Sequence, residues 1–197
     1  MRAPVVLSSV RSQEEPLSQH STTQVAAPSA ALRFRLVEPV EHDAVGALLL
    51  AAYDEYGMGE DYRAHLRGVA ALAAEHEVWV AVDDGGTIVG TIVTPRAGST
   101  LTPLARPGEL DFRYLAVAPG ARGLGIGSAL TRHVLGLARR RGATRVVMNS
   151  GPQMLGAHAL YLRLGFVRLP ERETVVVSDG RLLAFGYALA DVAAGQA

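Results

Sequence analysis

Over the first 31 residues no hydrophobic period repeats; Ser, Thr, Gln, Ala and Pro dominate, and the short apolar run Val5-Val6-Leu7 ends at Ser8 and Ser9. Such composition buries too little apolar surface to offset the entropy of ordering a chain, which predicts a disordered tail over 1–31. From Leu32 the texture changes. Leu32, Phe34 and Leu36 alternate with Arg33 and Arg35, the period of a half-buried strand. Val45, Leu48, Leu49, Ala52 and Tyr53 then recur at helical spacing, and Gly57 and Gly59 interrupt them. A second helix is predicted over 61–75, with Leu66, Val69, Ala70 and Ala73 on one face.

Two β-rich runs, 78–82 and 88–93, flank the turn Asp83-Asp84-Gly85-Gly86 and read as a hairpin. A loop punctuated by Pro95, Pro103 and Pro107 leads to a strand over 109–117. A long helix over 127–141 follows, then a short buried strand over 145–148 and a helix over 155–164 that Gly165 stops. Two last strands are predicted over 173–177 and 182–189, around a Ser-Asp-Gly turn. The order is β-α-α-β-β-β-α-β-α-β-β without internal repeat, an α/β (α+β) domain over 32–190 with a short tail over 191–197.

Composition narrows the chemistry. With 197 residues, 49% of them hydrophobic, the chain suits one domain with a substantial core. Lys+Arg and Asp+Glu both number 19, so no broad basic surface is available for nucleic acid or anionic membrane. Cysteine is absent, which excludes disulfides, thiolate nucleophiles and Cys-ligated metals. The six histidines are scattered, none four residues from another, so no metal site is predicted. No apolar run approaches the roughly 20 residues of a membrane span, and Val5 to Leu7 is too short for a secretory signal; the expected compartment is the cytoplasm.

The most informative segment is 115–127, Leu-Ala-Val-Ala-Pro-Gly-Ala-Arg-Gly-Leu-Gly-Ile-Gly, which joins a strand directly to a long helix. Glycines let backbone amides approach a ligand, and a helix start adds unpaired N–H donors and a positive dipole end, together a site for phosphate oxygens. A Walker loop would need a Lys here, and none is present. A dinucleotide fingerprint starting at Gly123 and Gly125 would need a third glycine where Ser128 stands, and the next strand ends at Asn149 instead of an acid.

Arg122-Gly123-Leu124-Gly125-Ile126-Gly127 resembles the Arg/Gln-x-x-Gly-x-Gly/Ala signature of the GNAT superfamily of N-acetyltransferases. Downstream, Ala157-His-Ala-Leu160-Tyr161-Leu-Arg-Leu-Gly165-Phe166 is similar to the same family's Ala-x-x-Leu-Tyr-x-x-x-Gly-Phe. The resemblance implies a GNAT-like acyl-CoA N-acyltransferase fold, a mixed, mostly antiparallel central sheet of about seven strands flanked by four helices. It implies acetyl-CoA as acyl donor, without a metal, and a primary amine of a small molecule or peptide as acceptor. Backbone groups of Leu115, Ala116 and Val117 would pair with the pantetheine arm. The turn from Arg122 through Gly123, Leu124, Gly125, Ile126 and Gly127 to Ser128 would hold the pyrophosphate. Many relatives carry an Asn seven residues before the tyrosine; here that position is Met154, and Asn149 is the nearest polar substitute.

Tyr161 has two readings. Ala157, Leu160, Tyr161 and Leu164 form an i, i+3, i+4, i+7 stripe that would pack a core, and the resemblance implies a general acid for the leaving thiolate. Asp111 and Glu109 lie on the strand entering the glycine turn, where the family often has an acid, and are the candidate bases. Their alternative is a pair of solvated charges. Arg139-Arg140-Arg141 sits where cations favour a helix C-terminus. The stretch 53–62, with Tyr53, Asp54, Glu55, Tyr56, Glu60 and Asp61, reads either as a polar loop or as an acidic, aromatic seat for a cationic amine. Transfer of another acyl group, a catalytically silent CoA-binding module and a homodimer stay open.

Overall fold

A computed structural model describes residues 32–177 and 180–189. The tails expected over 1–31 and 191–197 lie outside the described residues. Strands β1 (Arg33–Leu36), β2 (Glu77–Val82), β3 (Ile88–Thr94) and β5 (Arg113–Val117) form one antiparallel sheet in that order. Strands β4 (Glu109–Asp111), β6 (Arg145–Ser150), β10 (Leu183–Ala188) and β7 (Val167–Arg168) form a second, with β4 parallel to β6 and the remaining pairs antiparallel. β8 (Val176–Val177) and β9 (Gly180–Arg181) make a small hairpin.

The alternation read from the sequence decides which face each residue covers. In β2, Val78, Val80 and Val82 pack under helices α1 (His42–Tyr53), α2 (Glu60–Arg67) and α3 (Val69–Glu75). The intervening Trp79 and Ala81 pack on the other side, with helix α4 (Ile126–Arg140). α4 approaches the sheet closely at Gly90, where a Cβ would stand 2.9 Å from Leu130 Cδ1 and 3.0 Å from the Ala116 carbonyl oxygen. Helix α5 (Leu155–Arg163) completes the α4 side through Tyr161 and its neighbours.

The mixed, mostly antiparallel α/β architecture agrees with the expected fold, and three details differ. The single helix expected over 61–75 is broken at Gly68, where the chain turns so that Leu66 and Val69 can both reach full burial under α1. The strand expected over 109–117 is two strands in two sheets. Phe112, 1% exposed, sits at the switch, packed edge-on against Tyr161 and Phe166. Two residues on, Tyr114 takes φ 54°, a left-handed conformation rare for a bulky residue, where the β3–β5 register shifts. The strand expected over 173–177 shrinks to β8, and β7 is the element that pairs with β10 on the side away from β6.

That switch creates the working feature of the fold. β4 covers β6 only from Arg145 to Val147, so beyond Val147 the β6 edge has lost its partner. β5 is the last strand of its own sheet. The two sheets splay apart from Phe112 onward, and a cavity of about 570 Å³ fills the gap between 113–117 and 148–150.

Candidate active site

One wall of the cleft is β5. The Ala118 amide donates to the Val89 carbonyl at 2.9 Å, and the Ala116 carbonyl faces Gly90. Hydrogen-bonding direction alternates along a strand, so Leu115 and Val117 present their amides and carbonyls to the open edge. An extended amide-bearing chain can therefore pair there as an added strand.

The floor is the glycine turn. Gly123 and Gly125 both adopt φ 81°, a region closed to most side chains, and so give the turn its shape. Among the described residues, no amide from Gly123 to Ser128 donates to another protein group; the first helical bond is Ala129 N–H to the Gly125 carbonyl at 3.0 Å. No acidic side chain occupies the first turn of α4. Six unpaired donors at the N-terminus of a 15-residue helix form an anion cradle. Arg122 ties this turn to the end of α1, donating to the Ala52 carbonyl at 3.1 Å and pairing with Glu55 at 2.9 Å.

The opposite wall carries Asn149 and Tyr161. Asn149 Oδ1 is buried without a hydrogen-bond partner, an orphan acceptor on the cleft wall. Leaving such a group unpaired costs about 1–3 kcal/mol, which a ligand N–H would recover. Tyr161 is 3% exposed, ringed by Phe112, Phe166 and Phe185, and its hydroxyl has no protein partner among the described residues. Burial pushes its phenol well above the ordinary value, so it stays protonated throughout the neutral range. The core stripe and the site are thus one arrangement: the ring packs while its residue lines the cleft.

Neither of the two candidate bases lines the cleft. Asp111 is 1% exposed, and its carboxylate accepts from the Leu101 amide at 2.9 and 3.1 Å and from Thr102 Oγ1 at 2.9 Å. It anchors the loop between β3 and β4. Glu109 accepts both guanidinium nitrogens of Arg172, at 2.6 and 3.0 Å, and the Arg106 amide at 3.0 Å. Burial would raise the Glu109 carboxyl; Arg172, the Arg106 amide and Arg145 outweigh it and hold the group below its ordinary value. In this arrangement the Glu109 carboxylate faces Arg172 and the Arg106 amide and turns away from the cleft lining.

The acidic stretch also resolves differently from a cationic seat. Asp54 pairs with Arg63 at 3.0 Å, Glu60 with Arg67, and Glu55 with Arg122. The tyrosines turn inward instead: Tyr53, Tyr62 and Tyr114 form a chain with ring centroids 6.0 and 6.4 Å apart. Sequence reading missed Tyr114, whose hydroxyl lies 2.7 Å from His65 Nε2, and Ser150, which lies 3.1 Å from His158 Nε2. It also missed Arg113 as a lining residue. The local sequence carries no signal for them beyond an exposed-looking strand end. Of the arginine run, Arg141 is taken by Glu77 at 2.6 and 2.7 Å and by the Pro95 carbonyl.

A splayed pair of sheets, a strand edge with free backbone groups, an anion cradle and a protonated tyrosine meet in this one cleft. The acetyltransferase (GNAT) family profile matches residues 42–166, and the chain belongs to that family. N-acetyltransferase 8 of Mus musculus is 37% identical over 114 residues, 56% of this chain and 48% of its own. Glucosamine 6-phosphate N-acetyltransferase 1 of Oryza sativa subsp. japonica is 32% identical over 112 residues, 55% of this chain and 63% of its own. The chain thus spans about half the length of the first of these and under two thirds of the second. Among solved structures, an acetyltransferase of Bacillus subtilis in complex with CoA superposes with a TM-score of 0.59 at 19% identity, covering 81% of this chain and 99% of that one. The ribosomal-protein-S18-alanine N-acetyltransferase of Escherichia coli gives 0.57 at 17% identity, covering 85% and 99%. These two likenesses show the fold. Among the described residues no group of His, Asp and Glu is placed to hold a metal ion, and no helix is long and apolar enough to cross a membrane.

Proposed function

We propose that this chain transfers an acetyl group from acetyl-CoA to a primary amine by direct attack. The observation that carries the reading is the row of unpaired amides from Gly123 to Ser128 at the end of a cleft whose other end holds Tyr161. The cradle would take the pyrophosphate. The free edge of Leu115 and Val117 would pair with the pantetheine amides, and Asn149 Oδ1 would accept from one of them.

In the transfer step the amine nitrogen bonds the thioester carbonyl carbon, and the carbon–sulfur bond breaks. An amide on the β5 edge would hydrogen-bond the carbonyl oxygen as it gains charge; one such donor is worth roughly 3 kcal/mol in other enzymes. Tyr161 would give its proton to the departing thiolate, a role that its raised pKa supports because the phenol is fully protonated when needed. Among the described residues Glu55 is the one carboxylate lining the cleft, and it is engaged by Arg122. This supports loss of the amine proton to water, so the rate should climb with pH until the acceptor's own ammonium has titrated.

The test is calorimetric titration with acetyl-CoA of the wild type and of Ser128→Glu. Glutamate at that position suits a helix N-terminus, so the fold should hold, while its charge enters the anion cradle. Binding by the wild type and a loss of about 100-fold or more in the variant, with an unchanged circular dichroism spectrum, is expected from replacing an attractive charge with a repulsive one. Equal binding by both proteins would overturn the reading.

A further inference from the structure

A second cavity of about 270 Å³ opens beside the cleft and shares Tyr53, Arg113, Tyr114, Asn149 and Ser150 with it. Its volume lies at the small end of the range for small-molecule sites. Among the described residues Arg113 is its one charged lining residue, and none of them places a carboxylate there. Among the described residues Arg113 has no acidic partner. Its guanidinium lies 4.8 Å from the centre of the Tyr114 ring. Asp111 and Glu109, the acids closest in sequence, are engaged by Leu101, Thr102 and Arg172, and Asp54, Glu55 and Glu60 are each taken by another arginine. A guanidinium has five donors in a planar fork that matches a carboxylate, and a half-buried one lacking an anion is poised to take one from a ligand. The far wall is apolar, formed by Met58, Val175, Val177 and Leu182.

We infer that the acceptor is an amino carboxylate with an uncharged, apolar side chain, and that Arg113 binds its carboxylate while the amine faces the thioester. The inference rests on the proposed acetyl transfer and supplies its substrate class. The nitrogen–carbon bond formed and the carbon–sulfur bond broken are those of that transfer; the carboxylate is unchanged, and the product is an N-acetylamino acid. A polycation is repelled by the same charge that holds the carboxylate. In the acidic stretch beside the cavity Asp54, Glu55 and Glu60 pair with other arginines, and Asp61 does not line the cavity.

The experiment compares turnover of leucine, 3-methylbutylamine (leucine without its carboxylate), glucosamine 6-phosphate and spermidine by the full chain with acetyl-CoA. It uses wild type, Arg113→Gln and Arg113→Lys, with acetyl-CoA binding measured in each. Leucine should exceed 3-methylbutylamine in kcat/KM by about 10- to 100-fold, the worth of a charged hydrogen-bonded pair. Arg113→Gln should bring that ratio near one, chiefly through KM for leucine, and Arg113→Lys should restore part of it. A wild type that prefers 3-methylbutylamine or spermidine, or a ratio unchanged in Arg113→Gln, overturns the inference and leaves acetyl transfer standing. Preference for glucosamine 6-phosphate keeps an anion site but overturns the amino carboxylate. Silence with all four acceptors in a protein that binds acetyl-CoA also overturns it; absence of acetyl-CoA binding overturns the acetyl transfer itself.

Discussion

The two ends of the cleft are built from different materials. The glycine-turn end is made of backbone: unpaired amides from 123 to 128, two glycines at φ 81° and a helix start, all within one short stretch of chain. The end beside Arg113 is made of side chains brought from α1, α2, β5, β6 and the segment around β8 and β9. A backbone site needs only a local sequence that shapes the turn, and it serves any ligand with the same phosphates. A side-chain site depends on long-range packing and can be retuned one residue at a time. The difference teaches where a shared cofactor and a particular acceptor are each encoded.

The largest effect that would sharpen this contrast lies at the junction of the two ends. Tyr161→Phe keeps the ring among Phe112, Phe166 and Phe185, so stability should hold while kcat falls about 100-fold, the usual worth of a general acid. Steady-state kinetics with KM for acetyl-CoA unchanged would agree; an unaltered kcat would remove Tyr161 from the chemistry. With the wild-type enzyme, the phenol's raised pKa predicts no alkaline decline in kcat below about pH 10.

Asp111→Ala separates an anchoring carboxylate from a base. Removing a buried carboxylate that accepts from Leu101 and Thr102 should cost about 1–3 kcal/mol of stability by leaving the Leu101 amide unpaired. Denaturant titration would record that loss. Turnover per folded molecule should stay within a few-fold, whereas a collapse in kcat with full stability would return Asp111 to the role of base.

The smallest expected effect touches neither end. His133 lies between Phe34 and Trp79, with ring centroids at 5.0 and 4.6 Å, and its Nε2 is buried without a partner. Burial first, then the charge of Arg140, lowers its pKa, with Glu77 opposing. The unfolded chain therefore takes up a proton near pH 6.5 before the folded ring does, and stability falls as the pH drops below that value. His133→Phe should flatten part of this slope. Each kcal/mol recovered at pH 5.5 would raise the midpoint temperature by about 2–4 °C in a scanning experiment.

Much of this molecule was legible in its residues. The alternation in 78–82, the helical stripe from Val45 to Tyr53 and the glycine-rich entry to α4 are local patterns whose periods are set by strand and helix geometry. Such patterns also led from Arg122 to Ser128 and from Ala157 to Phe166 to the right family. The break within 109–117 escaped, because an alternating run looks the same whether it stays in one sheet or changes partners at Phe112. The surroundings of Asp111 and Glu109 escaped for a related reason. A carboxylate's role depends on what faces it, and Leu101, Thr102 and Arg172 come from elsewhere in the chain.

What the sequence by itself determined, then, is the set of elements, their buried faces and the anion cradle, since each follows from residues within a few positions of one another. The tertiary structure alone decided that two sheets part at Phe112, that Thr102 and Arg172 face Asp111 and Glu109, and that the acids of 54–60 pair away from the cavity. It also left Arg113 as the charge beside Tyr114. Distance in space, and not in sequence, fixes which charges find partners and which remain for a substrate.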